Sequence, residues 1–443
     1  MAPEEGSYDR FSTITIPLLR DREVHQDKTF DQNVGGTSFF KTCFHLVNAI
    51  SDRGFCSTLR LRRFGSVSPG VGTISAPYAL ASGGWLSISL LFLIAIACYY
   101  TGILIKRCMD MDPDIKTFPD IGQRAFGDKG RLLVSIAMNA ELYLVVTGFL
   151  ILEGDNLNQL VPNMQIDLAG LTIGGTTIFT IISALIVLPT VLSEDMSLLS
   201  YVSAGGVLAT SIFLLSLLWN GTFDGTEFHA SGTLFKLRGI PSSLSLYAFC
   251  FSAHPIIPSL YVSTRNRSQF SKVLFVCFLA CTLVYAAVAA LGFLMFGEDV
   301  KSQVTLNLPR GKFSSHVAIY TTLVNPLAKY ALMLSPIIKA VKNKVSCHNQ
   351  KRFTHMLVST SLLISTMIIA VTIPLFGSLM SLTGALLSVS ASILVPSMCY
   401  LKISGAYKRF GCEMITNYSI IVMGFLIVVV GTYTSVMDIV HNI

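Results

Sequence analysis

Apolar residues fill this chain in long unbroken runs rather than in alternation. Trp85 to Ile105, Val273 to Phe296 and Ile420 to Val436 carry no charge. Each is close to the length of about 20 residues that an α-helix needs to cross roughly 30 Å of hydrocarbon. A membrane barrel would show short alternating segments, so the pattern predicts an all-α integral membrane protein. Runs bounded by Gly, Pro or charge predict eleven transmembrane helices. They fall near 38–80 (interrupted), 85–105, 131–152, 174–191, 197–219, 242–263, 272–296, 315–338, 353–373, 375–400 and 416–439. Residues 1–36, polar and mixed in charge, are expected to form a mostly disordered cytosolic tail before one transmembrane domain, 37–443. They lack the basic start and short apolar core of a secretory signal, so the first span is expected to act as the insertion signal.

Lysines and arginines orient the spans, because basic residues stay on the cytoplasmic side of short loops. With a cytosolic N-terminus, 21 of them fall in segments on that side and 5 on the other. An odd number of spans then places the C-terminus in the lumen. Asn220-Gly221-Thr222 forms a glycosylation sequon on the non-cytosolic side, whereas Asn266-Arg267-Ser268 falls inside and is expected to be silent.

Composition narrows the function classes. Of 443 residues, 52% are hydrophobic and 13% charged, against roughly a quarter charged in a soluble domain. The net charge of +7 sits in loops beside the lipid bilayer, so it speaks of topology and not of nucleic acid. Ten cysteines show no CxxC or Cys/His ligand spacing. Neither a metal, a cofactor nor a structural disulfide is expected. With no HExxH, GxSxG or paired intramembrane aspartates, an enzyme is not expected either.

Span 6 reads SLSLYAFCFSAHPIIPSLYVS, where Pro255 and Pro258 remove backbone donors in mid-membrane beside Ser252 and His254. Span 1 has its own interruption, GVGTISAP, with Gly70, Gly72 and Pro77. A broken helix at this depth is tolerated only where protein or a wet cavity pairs the freed backbone groups. Breaks in the first spans of two successive groups of five point to an inverted-repeat secondary transporter with its site at the midplane. The competing reading is a pair of simple kinks. The half-helix after Gly72 offers the amides of Thr73, Ile74 and Ser75, and the positive end of its dipole, to a carboxylate. Carbonyls near Phe249 to Ser252 are expected to accept a substrate ammonium. The predicted substrate-binding residues are therefore Gly70, Val71, Gly72, Thr73, Ile74, Ser75, Phe249, Ser252 and Ala253.

The stretches SFFKTCFHLVNAIS joined to GVGTISAPYALASGGW, KTFPDIGQRAFGDKG, ELYLVVTGFLILEGDNL and NPLAKYALMLSPI closely resemble the amino acid/auxin permease family. The match is best to its plant vacuolar amino acid transporters of the AVT type. It runs from about residue 37 to the C-terminus and leaves out 52–69. The resemblance implies eleven spans in a LeuT-like five-plus-five inverted repeat with one added helix. It also implies proton-coupled movement of neutral amino acids across an endomembrane, usually that of the vacuole, and a monomer is expected.

Lys329 lies within span 8, where an ammonium costs about 3 kcal/mol unless it is paired or faces water. It is read as a structural lysine or as part of coupling and gating, with Asn325 one turn away and Pro326 freeing a carbonyl. By fold analogy, a fixed charge there replaces the sodium of sodium-driven relatives. Glu141 in span 3 is the other deep charge, either the partner of a loop lysine or a proton carrier. His254 either shuttles protons or satisfies loose backbone groups at the break. Proton coupling or gating is thus assigned to Glu141, His254, Asn325 and Lys329. Glu153 and Asp155, at the outer end of span 3, are expected to be solvated charges without function.

Two further readings compete. An amino acid sensor without turnover uses the same site. Residues 52–69 set Arg53, Arg60, Arg62 and Arg63 against Asp52 within span 1, at a depth where each charge costs a few kcal/mol. Without them FHLVNAIS runs into GVGTISAPYA and restores a span of about 25 residues. The stretch is read as a splicing or gene-model insertion, and a chain that keeps it as a transport-impaired variant.

Overall fold

The computed structural model describes residues 39, 42, 43, 46 and 71–443, other than 169, 194–205, 225–227, 229–231, 346–350, 409–410 and 443. The expected tail 1–36, the expected insertion 52–69, Gly70 and most of the first half of span 1 lie outside the described residues. From there the chain forms α1 (Val71–Gly83), α2 (Ser87–Met111) and α3 (Phe118–Leu160). A hairpin of β1 (Gln165–Leu168) and β2 (Leu171–Gly174) leads into α4 (Gly175–Leu192) and α5 (Gly206–Phe223). Span 6 is divided into α6 (Ile240–Cys250) and α7 (Ile257–Ser263), followed by α8 (Phe270–Phe296), α9 (Phe313–Val345) and α10 (Lys351–Thr372). The next span joins α11 (Phe376–Leu382) to α12 (Val395–Ser404) through π-helical stretches at Thr383–Ser388 and Ser390–Leu394. α13 (Cys412–Asn442) is the last helix.

Among the described residues, nine helical stretches are long and apolar enough to cross a membrane, and Ala209–Phe223 is a shorter apolar helix. The chain is a multi-pass helical membrane protein. Of the eleven predicted spans, the first lies largely outside the described residues. The fifth, predicted at 197–219, is described only from Gly206. α10 and α13 leave most of their apolar stretches exposed, as helices facing lipid do.

Several helices outrun their apolar segments, because backbone hydrogen bonding continues into the first polar turns. α3 is the extreme case. The side chain of Thr117 and that of Asp120 cap its start reciprocally, and Gly127, at φ 68°, turns the chain before the apolar part begins. A straight helix of 43 residues would reach about 65 Å at 1.5 Å per residue, twice the hydrocarbon thickness. α3 then packs against α4 and α9, while α1 packs against α6 and α8.

One expectation, on the sequon, is corrected, and one element goes beyond the predicted helices. In the loop 153–175, Ile166 pairs with Ile173 and Leu168 with Leu171 in an antiparallel hairpin, with Gly170 at φ 87° in its turn. The alternating IDL and LTI flanking AG are its signature. Asn220 of the sequon is 0% exposed. Its amide donates to the Ser216 carbonyl over 2.8 Å and its Oδ1 accepts from Ser315 over 2.9 Å. It lies inside α5, out of reach of a glycosylating enzyme.

Candidate functional site

The division of span 6 follows from its prolines. Pro255 and Pro258 cannot donate to a helical ladder, so α6 stops at Cys250 and α7 begins at Ile257. Between them the backbone pairs locally: Phe251 donates to the Ala248 carbonyl (3.2 Å), Ala253 to Phe251 (2.9 Å) and Ile256 to Ala253 (3.1 Å). The Tyr285 hydroxyl, from α8, donates to the Cys250 carbonyl over 3.2 Å. Two of the carbonyls expected to face an ammonium, those of Cys250 and Phe251, are thus engaged in this arrangement.

α1 begins at Val71, and Val71, Gly72, Thr73, Ile74 and Ser75 are all buried. The leading amides of a helix have no acceptor within it, which here leaves those of Val71, Gly72 and Thr73. A helix starting at Val71 already pairs the Ser75 amide with the Val71 carbonyl. The Ser75 hydroxyl also turns back, donating to the carbonyls of Val71 (3.1 Å) and Gly72 (3.2 Å). The leading amides are therefore two residues earlier than predicted, and Ser75 is occupied by its own helix. Thr73 Oγ1, fully buried, has no hydrogen-bond partner among the described residues.

The start of α1 and the end of α6 touch. Cys250 Sγ donates to the Gly72 carbonyl over 3.3 Å. A Cβ on Gly72 would stand 3.0 Å from Cys250 Sγ and 3.1 Å from its Cα. Glycine leaves room for this close crossing, which brings the leading amides of α1 beside the break.

Glu141 of α3 closes the arrangement. Its side chain is 7% exposed, and its Oε1 accepts from Ser252 Oγ over 2.8 Å and from Ser388 Oγ over 2.7 Å. Hydrogen bonds to a carboxylate are roughly twice as strong as neutral ones. One oxygen thus joins α3 to the break in span 6 and to the π-helical stretch between α11 and α12. A cavity of about 30 Å³ lies against it, with Met138, Leu142, Val145, Pro255 and Ile256 as apolar wall and Glu141 and Ser252 as polar atoms. That is room for a water or two and not for an amino acid.

The other predicted coupling residues lie on other elements. His254 is fully buried and faces α2, its Nε2 lying 2.9 Å from both the Cys98 carbonyl and Thr101 Oγ1. Its Nδ1 has no partner among the described residues. Lys329 is 3% exposed within α9, and Asn325 beside it is buried, its Oδ1 without a partner among the described residues. Phe249 and Ala253 are buried at the break itself. Gly384, at the start of the π-helical stretch, lets that span lie on α6: a Cβ there would come 2.0 Å from the Ser245 carbonyl.

Two features escaped the sequence reading. Ser388 looked like one small residue among many in SLTGALLSVSAS, and nothing in that run announces a π-helical turn. Glu153 is not a solvated charge. It is 2% exposed, covered by elements far away in the chain, and Asp155 beside it accepts from Gln303 Nε2 over 2.7 Å. Among the described residues, no group of three or more His, Cys, Asp or Glu is placed to hold a metal ion.

A family model described as "Transmembrane amino acid transporter protein" matches residues 67–437. The chain is similar to two Arabidopsis thaliana proteins, amino acid transporters AVT1I and AVT1J. The first is 50% identical over 424 residues, covering 96% of this chain and 99% of that protein. The second is 52% identical over 407 residues, covering 91% and 92%. Among solved structures, the inward-facing conformation of Mhp1 aligns with 89% of this chain and 90% of its own, with a TM-score of 0.51 at 12% identity. That likeness is one of fold, and the fold is LeuT-like.

Proposed function

Because the chain belongs to the transmembrane amino acid transporter family, we propose that it carries neutral amino acids across an endomembrane by proton-coupled alternating access. The substrate carboxylate is held by the leading amides of α1 at Val71, Gly72 and Thr73. Its ammonium meets Ser252 and the backbone at the break, and its side chain lies toward the apolar wall of Met138, Leu142, Val145 and Ile256. Among the described residues, no cation or second acid lines that wall, which favours neutral side chains.

Glu141 is the proton site in this mechanism. Ionised, it accepts from both serines and ties α3 to the break and to the π-helical span. Protonated, it loses charge and part of its acceptor capacity, both bonds weaken, and the break is freed to move against α3. The observation that carries this reading is the grip of Ser252 and Ser388 on one carboxylate oxygen. Lys329 and Asn325, on the α9 that packs against α3, act as a gate. His254 pins α7 to α2.

The vacuolar membrane is the proposed location, with the N-terminus cytosolic and the C-terminus lumenal. The split of 21 basic residues against 5 supports that orientation. We also propose that residues 52–69 are an insertion that impairs transport, because they set Arg53, Arg60, Arg62 and Arg63 within span 1. Uptake of labelled neutral amino acids into sealed vesicles, with and without an imposed proton gradient, tests the function. Gradient-driven accumulation is expected, and greater accumulation after deletion of 52–69. Binding without uptake in the deleted chain would make the protein a sensor instead.

A further inference from the structure

The C-terminal end of α3 buries a second carboxyl that this mechanism does not use. Glu153 is 2% exposed, and neither of its oxygens has a hydrogen-bond partner among the described residues. α3 packs here against α4 and the turn Val304–Asn307. A Cβ on neighbouring Gly154 would stand 2.2 Å from Thr180 Oγ1 of α4, so the two helices are in close contact at this level.

The surrounding charges are directed elsewhere. α4 contains no ionisable residue. Asp155 is held by Gln303, which in turn accepts from Asn156 Nδ2 over 2.6 Å. Lys301 lies on the Asp155 side, Arg310 donates to Gln159 Oε1 over 3.3 Å, and His316 of α9 stacks on Tyr320. What this end does contain is oxygen: Asn156 Oδ1, Ser183 Oγ and Thr305 Oγ1 are buried and lack partners among the described residues.

We propose that Glu153 is a proton-binding site whose carboxyl is neutral. A bare carboxylate removed from water carries a large penalty unless paired, and such groups neutralise instead. The partnerless oxygens at this end supply no positive charge, and each is of a kind that can accept from an O–H. With Glu141 twelve residues earlier on the same helix, α3 then holds two acids about 18 Å apart, one at the break and one at its end. The assignment rests on burial and partners at Glu153 and stands even if the coupling role of Glu141 fails.

Infrared difference spectra of the purified full chain and its Glu153→Gln variant, at neutral pH in sodium and in choline buffers, test it. The wild type is expected to show the carbonyl stretch of a neutral carboxylic acid that the variant lacks, equally in both buffers. Glutamine imitates the neutral acid, so the two proteins are expected to melt together. Identical spectra would overturn the proposal, as would misfolding of the variant. A band removed by sodium would make this a metal-cation site and not a proton site.

Discussion

The Ser252 hydroxyl donates to Glu141 over 2.8 Å, and so ties the unwound centre of span 6 to a helix packed beside it. The same oxygen accepts from Ser388. Glu141→Gln keeps the volume and removes the charge that strengthens both bonds. Proton-driven uptake is expected to fall at least tenfold, while exchange of labelled for unlabelled amino acid across the vesicle membrane persists. Ser388→Ala deletes one of the two bonds, a change worth about 1–2 kcal/mol, and is expected to shift the pH dependence of uptake. A transport pH profile of each variant checks both.

Gly72 leaves little room for a side chain. Its Cβ would press on the Cys250 Cα at 3.1 Å, a backbone atom that cannot rotate away. Gly72→Ala is expected to destabilise the protein by about 1–3 kcal/mol and to abolish uptake by separating α1 from the break. Gly411, with nothing within 4 Å of its Cβ position, serves as the control: Gly411→Ala is expected to leave melting and uptake within roughly 0.5 kcal/mol of wild type. Thermal melting in detergent reads the difference.

Among the described residues, hydrogen bonds at three depths fasten span 6 to α2. Ser87 meets Tyr247 at 3.3 Å, His254 meets the Cys98 carbonyl at 2.9 Å, and Tyr261 donates to Asp110. His254→Ala leaves a ring-sized cavity, so a loss of about 2–4 kcal/mol in stability is expected. The pH dependence of residual uptake is expected to stay where it is, which a profile beside that of Glu141→Gln establishes.

The break in span 6 was legible because proline cannot hide: Pro255 and Pro258 forbid a continuous ladder whatever packs around them. Gly72 and Glu141 were legible for a similar reason, one as a missing side chain and the other as a charge where charge is costly. Ser388 was not, since a π-helical turn is a shift in hydrogen-bond register that needs no special residue. Glu153 read as a solvated helix end because the residues that bury it, on α4 and in the turn Val304–Asn307, are distant in sequence. Asn220 matched a surface motif but lies within an apolar helix, where its amide serves Ser216 and Ser315.

That burial carries its own expectation. Treatment of the protein, expressed in a glycosylating host, with an endoglycosidase is expected to leave its electrophoretic mobility unchanged. Asn220→Gln is expected to lower the melting temperature, because the longer side chain cannot keep both of its buried hydrogen bonds.

The coupling assigned to Glu141 is read most directly with a pH-sensitive dye sealed inside vesicles carrying the chain without residues 52–69. Adding a neutral amino acid outside, with no gradient imposed, is expected to change the internal pH in wild type and to leave it unchanged in Glu141→Gln. Amino acid entry without proton movement in wild type, or equal proton movement in the variant, would contradict the account.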